Sequence, residues 1–379
     1  MDRSFTISRG RPENDFWEKY AVLWRNSPER SPFQAPQLLQ YFADNTDRSA
    51  VIFQYFEANN LIGAVLLQEH KGVYTFLSDL KTDANFFVID SHCSPETVKD
   101  FFTCFMQTVR REKWSLILNN QPAWAGYMPA FDAAGRASGL FWSNFGYSVC
   151  PFAGEETPDA LFKRINGSRE HRTRVNKLKN QVNAEFEVLT DEADLENWVN
   201  QFCNAHVLRW ADTPTPSEFR DPARQQFLLA CLRAWCREGL LVRFSVKIEQ
   251  QRIGFVVGLR EAGSLIHHST TFHPGFWKFS PGKALIHFMA QWMRDNNLRV
   301  LDFGDGDEPY KYEIADRDHV LNRIFISGKR DFRFIAKAKI IKLVKEHPRV
   351  YHFYQNRLKP VAAQLVGLEH LLDWLWPAL

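Results

Sequence analysis

Two segments of the chain put chemistry-bearing residues at the ends of regular structure. The first is Phe272–Leu285, FHPGFWKFSPGKAL. It reads as a strand end, a loop with Pro274, Gly275, Pro281 and Gly282, and then the start of a helix. The first turn of a helix leaves amide hydrogens without intrahelical partners, and the helix dipole adds positive potential there. A phosphate or pyrophosphate suits such a start. Lys283 adds a cation, and Gly282 and Ala284 lack the bulk that would keep a ligand off the backbone. The competing reading is a self-contained helix start, with Ser280 as N-cap, Pro281 at the first position and no ligand.

The second segment is Leu298–Tyr312, LRVLDFGDGDEPYKY. A buried strand breaks into a loop that carries Asp302, Asp305, Asp307 and Glu308, followed directly by Tyr310, Lys311 and Tyr312. Acids, a tyrosine and a lysine at a strand end can move protons to and from an attacking amine. Strand ends are also where α/β sites lie. Asp302, Asp305, Tyr310 and Lys311 are therefore catalytic candidates, weighed against ordinary solvated loop acids. A third pair, His267-His268, sits inside the strand Ser264–Phe272. Alternation puts one ring on each face, so one can face a cleft as a base while the other packs. Kinase chemistry is excluded, because the Asp302-Phe303-Gly304 triplet has no Gly-rich loop before it and no H-R-D segment. The clustered acids also miss the spacing of a calcium loop.

The elements that must hold these residues alternate strands and helices. Strands are expected at Ala50–Glu57, Leu61–Gln68 (after a turn at Asn59-Asn60), Val73–Leu77, Phe86–Asp90, Trp114–Leu118 and Phe145–Cys150. A helix begins at Ser94-Pro95-Glu96, with Ser94 as cap and Phe101, Phe102, Phe105 and Val109 on one stripe. One short helix is expected near Pro36–Phe42. The middle carries a long helix from Thr157 to about Lys179, a strand Phe186–Leu189, and helices Asp191–His206 and Asp221–Glu238, the last ended by Gly239. Then come strands Leu240–Ile248, Ile253–Arg260 and Ser264–Phe272, helix Gly282–Asn296, strand Leu298–Phe303 and a last strand at Phe325–Gly328. A meander, a helix and a strand recur at about 50–118 and 240–303. This order suggests two copies of one unit with mixed sheets covered by helices.

The 379 residues are 45% hydrophobic and include 32 Phe and 12 Trp, which is globular composition with large aromatic cores. The formal charge of +3 is too small for a global nucleic-acid footprint, and nucleic acid is not an expected partner. The six cysteines form no C-x-x-C pair and suggest neither zinc nor a disulfide framework; no metal is expected. The start MDRSFTISRGRPENDF lacks an apolar run, so no signal peptide is expected, and no stretch reads as a spanning helix. A cytoplasmic location is the resulting expectation.

Ser280-Pro281-Gly282-Lys283-Ala284-Leu285, a helix, and then Asp302-Phe303-Gly304-Asp305-Gly306-Asp307-Glu308-Pro309-Tyr310-Lys311 resemble the GNAT-superfamily acyltransferases of cellulose and exopolysaccharide biosynthesis, the CelD/BcsL type. These are in turn similar to the Fem-type aminoacyl transferases. The resemblance is clearest over about 155–330, including Arg169, Arg172 and Arg174. It implies an α/β fold of tandem GNAT-like halves: an N-terminal half, 1–155, a catalytic half, 156–330, and a helical C-terminal extension, 331–379. The first half lacks a Pro-Gly helix start and is expected to be structural. The resemblance further implies an acyl-CoA co-substrate, acetyl-CoA first among them, held by Ser280, Gly282, Lys283 and Ala284 with the strand end Thr271 and Phe272. The GNAT signature Gln/Arg-x-x-Gly-x-Gly/Ala is met at Gly282 and Ala284 but not at Phe279. The implied reaction is direct attack of an amine on the thioester, with Tyr310 as acid or positioning group, Asp302 or Asp305 near the amine, and His267 or His268 as reserve base.

Two basic segments remain. Lys163–Lys179 has Glu170 as its only acid, so it can steer an anion such as CoA, a nucleotide-sugar or RNA, or stand as a solvated face. Residues 330–360 carry Arg330, Arg333, Lys337, Lys339, Lys342 and Lys345 among apolar residues. They suggest an amphipathic helix with one mostly apolar side and a peripheral contact at the inner membrane. Val361–Leu379 suggests packing on the second half or an oligomer contact. The sequence thus leaves three functions: an acyl-CoA-dependent N-acyltransferase acting on a small-molecule or saccharide acceptor (an amino sugar, nucleotide-sugar or polysaccharide precursor), a Fem-like aminoacyl-tRNA-dependent transferase, and a non-catalytic GNAT-fold binding module.

Overall fold

The computed structural model describes residues 3–46, 49–167, 169–213, 216–329, 331–347 and 349–350. In chain order the elements are β1 (Arg3–Arg9), α1 (Asn14–Asn26), α2 (Pro36–Asn45), β2 (Ser49–Glu57), β3 (Asn60–His70), β4 (Val73–Phe76), β5 (Val88–Ile89), α3 (Pro95–Arg111), β6 (Ser115–Pro122), α4 (Met128–Ala137) and β7 (Phe141–Gly154). Next come α5 (Pro158–Asn166), α6 (Arg169–Val182), β8 (Glu185–Leu189), α7 (Leu195–Arg209), α8 (Pro222–Arg237), β9 (Leu241–Ile248), β10 (Gln251–Glu261), β11 (Ser264–Phe272), α9 (Pro281–Asp295), β12 (Val300–Asp302), β13 (Arg317–Ser327) and α10 (Phe332–Glu346). This is a mixed α/β fold.

The chain divides into two compact units. Residues 1–29, 42–148 and the described residues from 320 onward form the first; residues 30–41 and 149–319 form the second. These boundaries differ from the linear division at 155 and 330. The chain leaves the first unit within β7 and returns within β13, and 30–41 belongs with the second unit. Long-range pairing, which local pattern does not encode, decides this.

In the first unit β1, β2, β3 and β4 run antiparallel, β4 pairs β6 in parallel, and β6 pairs the second part of β13. Its core is aromatic: Phe53, Phe87, Phe101, Phe102, Phe105 and Phe131 are buried together. Phe87 and Phe102 meet edge to face at 5.1 Å, the arrangement that ring quadrupoles favour. Helix α3 starts as its sequence requires, with the Ser94 hydroxyl accepting the Thr97 amide at 3.1 Å. The β2–β3 turn falls on Ala58 and Asn59, both at positive φ, one residue before the expected Asn59-Asn60. Asn60 instead opens β3. Strand β1 and helices α1 and α4 lie outside the expected elements. In α1 the signal is present, since Phe16, Tyr20 and Leu23 recur at helical spacing and are buried.

Past the paired residues Tyr74 and Leu116, side chains link the β4 and β6 segments. Asp79 accepts from Asn119 at 2.9 Å and from Asn85 at 2.7 Å, and Gln121 donates to the Asn85 carbonyl at 2.7 Å. The single long helix expected from Thr157 to Lys179 is two, α5 and α6, with Gly167 ending the first. In α10, Phe334, Ala338 and Ile341 pack with Phe145 and Phe325, while Phe332, Ile340 and Leu343 are exposed. Apolar positions therefore lie on two sides of α10, not on the single side expected. Arg330 and Val361–Leu379 lie outside the described residues. Among the described residues no helix is long and apolar enough to cross a membrane.

Burial pushes the Asp79 carboxyl up to about 6 against the lowering by its amide partners. An acid raised in the fold is favoured there in its protonated form. Its contribution to stability is thus complete below its unfolded value near 4 and is lost as pH rises through about 6. Urea titrations are expected to show a loss on the order of 2–3 kcal/mol from this group between pH 4 and pH 7. That part of the pH dependence disappears in Asp79→Asn.

Candidate functional site

The second unit holds both chemistry-bearing segments, Phe272–Leu285 and Leu298–Tyr312. Its strands β8, β9, β10 and β11 are antiparallel, and β11 pairs β12 in parallel. Helix α9 lies on this sheet through Ala284, Leu285, Met289 and Met293, which are buried with Val242, Phe244, Val246 and Leu265. Gly254 on β10 permits the close approach. A Cβ there would stand 2.8 Å from Pro281 Cβ and 3.4 Å from Leu285 Cδ1.

Two backbone features shape this part of the unit. First, β11 and β12 pair only over Ser264, Leu265 and Ile266 with Val300, Leu301 and Asp302. Beyond that point β11 continues to Phe272 while β12 ends, which leaves the later part of that strand edge without a β12 partner. An extended ligand can add to such an edge as a strand would. Second, the register with β10 slips between Val257 and Gly258, whose partners are Ser269 and His267. His268 is the extra residue of this bulge, and bulges re-aim a strand. No sequence signal marks it.

The helix start differs in kind from that of α3. Ser280 sits at the N-cap of α9, but its backbone is left-handed (φ 49°, ψ 57°) and its side chain makes no cap hydrogen bond. The self-contained start, with the Ser280 side chain as cap, is thus not what forms. Pro281 carries no amide hydrogen, and the Ala284 amide bonds to the Ser280 carbonyl at 3.1 Å. The amides of Gly282 and Lys283 therefore lack the side-chain cap that Ser94 gives α3. A Cβ on Gly282 would meet only Thr270 Oγ1, at 3.9 Å, so the space above it is open. Phe279, at the position where the GNAT signature has Gln or Arg, packs against the core that contains Ala284. Thr271 is fully buried; Phe272 is half-buried, with the Arg209 guanidinium 4.4 Å over its ring.

The acidic loop is wrapped around one lysine. Lys311 is buried, and its ammonium donates to the carbonyls of Gly304, Asp305 and Gly306 at 3.3, 2.7 and 3.0 Å. It also pairs with Glu308 at 2.8 Å. Gly304 and Gly306 are at positive φ, which lets three successive carbonyls converge. Asp302 accepts the Gly304 amide at 2.8 Å and so starts the turn. In this geometry Lys311 holds the loop, with its protons directed at loop oxygens. Tyr310 then enters a short 3-10 turn, Lys311–Glu313, and Glu313 forms an ion pair with Lys283 at the start of α9. That pair joins the helix start to the Tyr310 loop.

The histidines have different surroundings. His267 is buried with its ring 5.7 Å from Phe303; His268 is half-buried between Phe33 and Trp235, at 5.3 and 5.4 Å. Two residues that sequence reasoning passes over stand in the same unit. Arg209, the last residue of α7, interacts electrostatically with Tyr310. His319 stacks on Phe152 at 4.0 Å, and Phe152 is the strand partner of Asp302. Burial and then Arg317 hold His319 below its ordinary range, which keeps the imidazole neutral at neutral pH. Neither residue lies in a motif, so nothing in the sequence marks them. Among the described residues no group of three or more His, Cys, Asp or Glu is placed to hold a metal ion.

Residues 166–312 match the family model described as an acetyltransferase (GNAT) domain. Over these residues the chain is similar to acetyltransferases of the GNAT type. A search of curated proteins returned no match. Among solved structures, FemX is similar with a TM-score of 0.58 at 9% identity, over 89% of this chain and 100% of that one. The C-terminal domain (DUF2156) of a lysylphosphatidylglycerol synthetase, so assigned putatively, from Agrobacterium fabrum gives 0.57 at 9% identity, over 87% and 96%. L-PGS from Bacillus licheniformis gives 0.55 at 10% identity, over 89% and 98%. At such identities these likenesses speak for the fold. The matched stretch runs from α6 to the Tyr310 turn, and therefore includes the bulged strand, the uncapped helix start and the Lys311 loop.

Replacing Gly254 by Ala is expected to push the start of α9 off the sheet at a cost of about 1–3 kcal/mol. The urea midpoint measures this. An unchanged midpoint would show that Pro281 is free to move aside.

Proposed function

We propose that the protein transfers an acyl group, acetyl first among them, from an acyl-CoA to an amine on a sugar, nucleotide-sugar or polysaccharide precursor. The observation that carries this reading is the uncapped start of α9, which follows the stretch of β11 without a β12 partner and is tied by Lys283–Glu313 to the Tyr310 loop. The residues present fit the coenzyme. Two amides without a side-chain cap, the open space over Gly282 and the dipole of a 15-residue helix suit its diphosphate. The strand edge after Ile266 suits its amide-bearing arm.

In this reading the acyl-CoA supplies the thioester, and the amine attacks its carbonyl carbon directly. The new C–N bond forms, the C–S bond breaks, the amine loses a proton and the thiolate gains one. Tyr310 serves as the acid or positioning group, with Asp302 or Asp305 near the amine. His267 and His268 are reserve bases. Ser280, Lys283 and Ala284 frame the diphosphate site, and Thr271 and Phe272 end the strand that leads to it. Lys311 acts through the loop it holds. The saccharide acceptor comes from the sequence resemblance to the CelD/BcsL type.

Gly282→Glu separates ligand binding from folding. A carboxylate in the first turn favours the helix dipole, and Gly→Glu raises helix propensity, so stability is expected to rise by up to about 1 kcal/mol. The same charge repels a diphosphate, so calorimetry should show acetyl-CoA affinity falling at least about tenfold. Retained affinity would remove the helix start from the coenzyme site.

A further inference from the structure

Most cations that frame the second unit's site have a carboxylate. Lys283 pairs with Glu313, Lys311 with Glu308, Arg164 with Glu155 and Asp316, and Arg252 with Glu187 and Asp194. Arg209 differs. Its guanidinium lies 4.4 Å over the Phe272 ring and 5.9 Å from the Trp210 ring, and it interacts with Tyr310. Among the described residues it forms no ion pair or side-chain hydrogen bond. The position is also fixed. The His206 ring stacks on Trp210 and its Nδ1 is 2.8 Å from Ser217 Oγ, which anchors the last turn of α7. Burial lowers the pKa of Arg209, the sign of a cation partly stripped of water.

A guanidinium carries five donors in a planar fork that matches a carboxylate or phosphate, and ring faces satisfy none of them. Desolvating a cation without a counter-charge is costly, and an incoming anion removes that cost. We propose that Arg209 is an acceptor-recognition residue that binds a carboxylate or phosphate on the amine substrate, so that the acceptor class is acidic: an amino acid, amino-sugar acid or sugar phosphate. Phe272 lies against the guanidinium, with the Trp210 ring farther off, and Tyr310 acts on its charge. An anion bound there brings the rest of the acceptor toward Tyr310. The inference rests on the acyltransfer reading for the identity of the ligand, not for the anion site itself.

The full chain is assayed by thiol release from acetyl-CoA with pairs of primary amines that differ only as acid and amide, including the uronic acid of glucosamine with its uronamide. The acidic members are expected to have a kcat/KM at least about tenfold higher. In Arg209→Gln that preference collapses through the acceptor KM, while the Kd for acetyl-CoA stays within about twofold. Arg209→Lys recovers part of it, because charge returns without the fork. Equal use of acid and amide by the parent protein overturns the proposal. So does an Arg209→Gln effect confined to acetyl-CoA binding, which would place the coenzyme's phosphates at Arg209. A shifted kcat–pH profile with unchanged acceptor KM overturns it too, by assigning Arg209 to Tyr310. Loss of all acetyl-CoA binding and turnover in the parent protein counts against the acyltransfer reading alone. The anion site is then tested directly. Modification of Arg209 by phenylglyoxal, followed by peptide mass, is slowed by malonate or inorganic phosphate and not by malonamide. Equal protection by malonate and malonamide overturns the site.

Discussion

The left-handed backbone of Ser280 is the constraint on which the second unit's site depends. In that conformation the serine occupies the N-cap without capping, and Pro281 comes next with no amide hydrogen of its own. The unmet donors of Gly282 and Lys283 are concentrated at one point, at the positive end of a helix whose apolar face is buried on the sheet. A residue in this region of backbone space is strained unless its surroundings hold it. Here the preceding 3-10 turn, Pro274–Phe279, closes onto Ser280 through its amide bond to the Trp277 carbonyl. Phe279 seals that turn against the core, so an apolar side chain stands where the GNAT signature has a polar one.

The Tyr310 loop is ordered by a different interaction. Burying an ammonium is costly unless oxygens surround it. Lys311 meets that demand with three carbonyls and Glu308, and the two glycines at positive φ make the convergence sterically open. A segment that reads as a run of solvated acids is thereby a shaped loop, with Tyr310 at its exit. The link Lys283–Glu313 then makes the position of Tyr310 depend on the helix start.

The two units use the same order of elements to different ends. In each, a strand pairs in parallel with the strand after the next helix, and the pairing stops after two or three residues. In the first unit side chains bridge the segments beyond that pairing, with Asp79 accepting from Asn119 and Asn85, and α3 is capped by its own Ser94. In the second the helix start has no side-chain cap. The same Ser-Pro dipeptide opens both helices, and the backbone angle of the serine separates them.

Much of this is legible in the sequence. Strand Ser264–Phe272 and helices α3, α8 and α9 arise from periodicity, proline at the first turn and stop signals, because those are local properties of the chain. The helix start at Pro281-Gly282 and the loop from Asp302 to Lys311 can be named as chemistry-bearing for the same reason. The role of Lys311 cannot, since a lysine beside three acids reads as solvated until burial turns its charge inward. Arg209 and His319 are unmarked because their significance comes from neighbours remote in sequence, Phe272 and Tyr310 for one and Phe152 for the other. The bulge at His268 and the angle at Ser280 are likewise set by strand register and by packing on α9. Local sequence determined which elements form and where donors and acids lie. Tertiary contact decided which charges are buried, which are neutralised and which are left without a counter-charge, because desolvation is a property of the assembled fold.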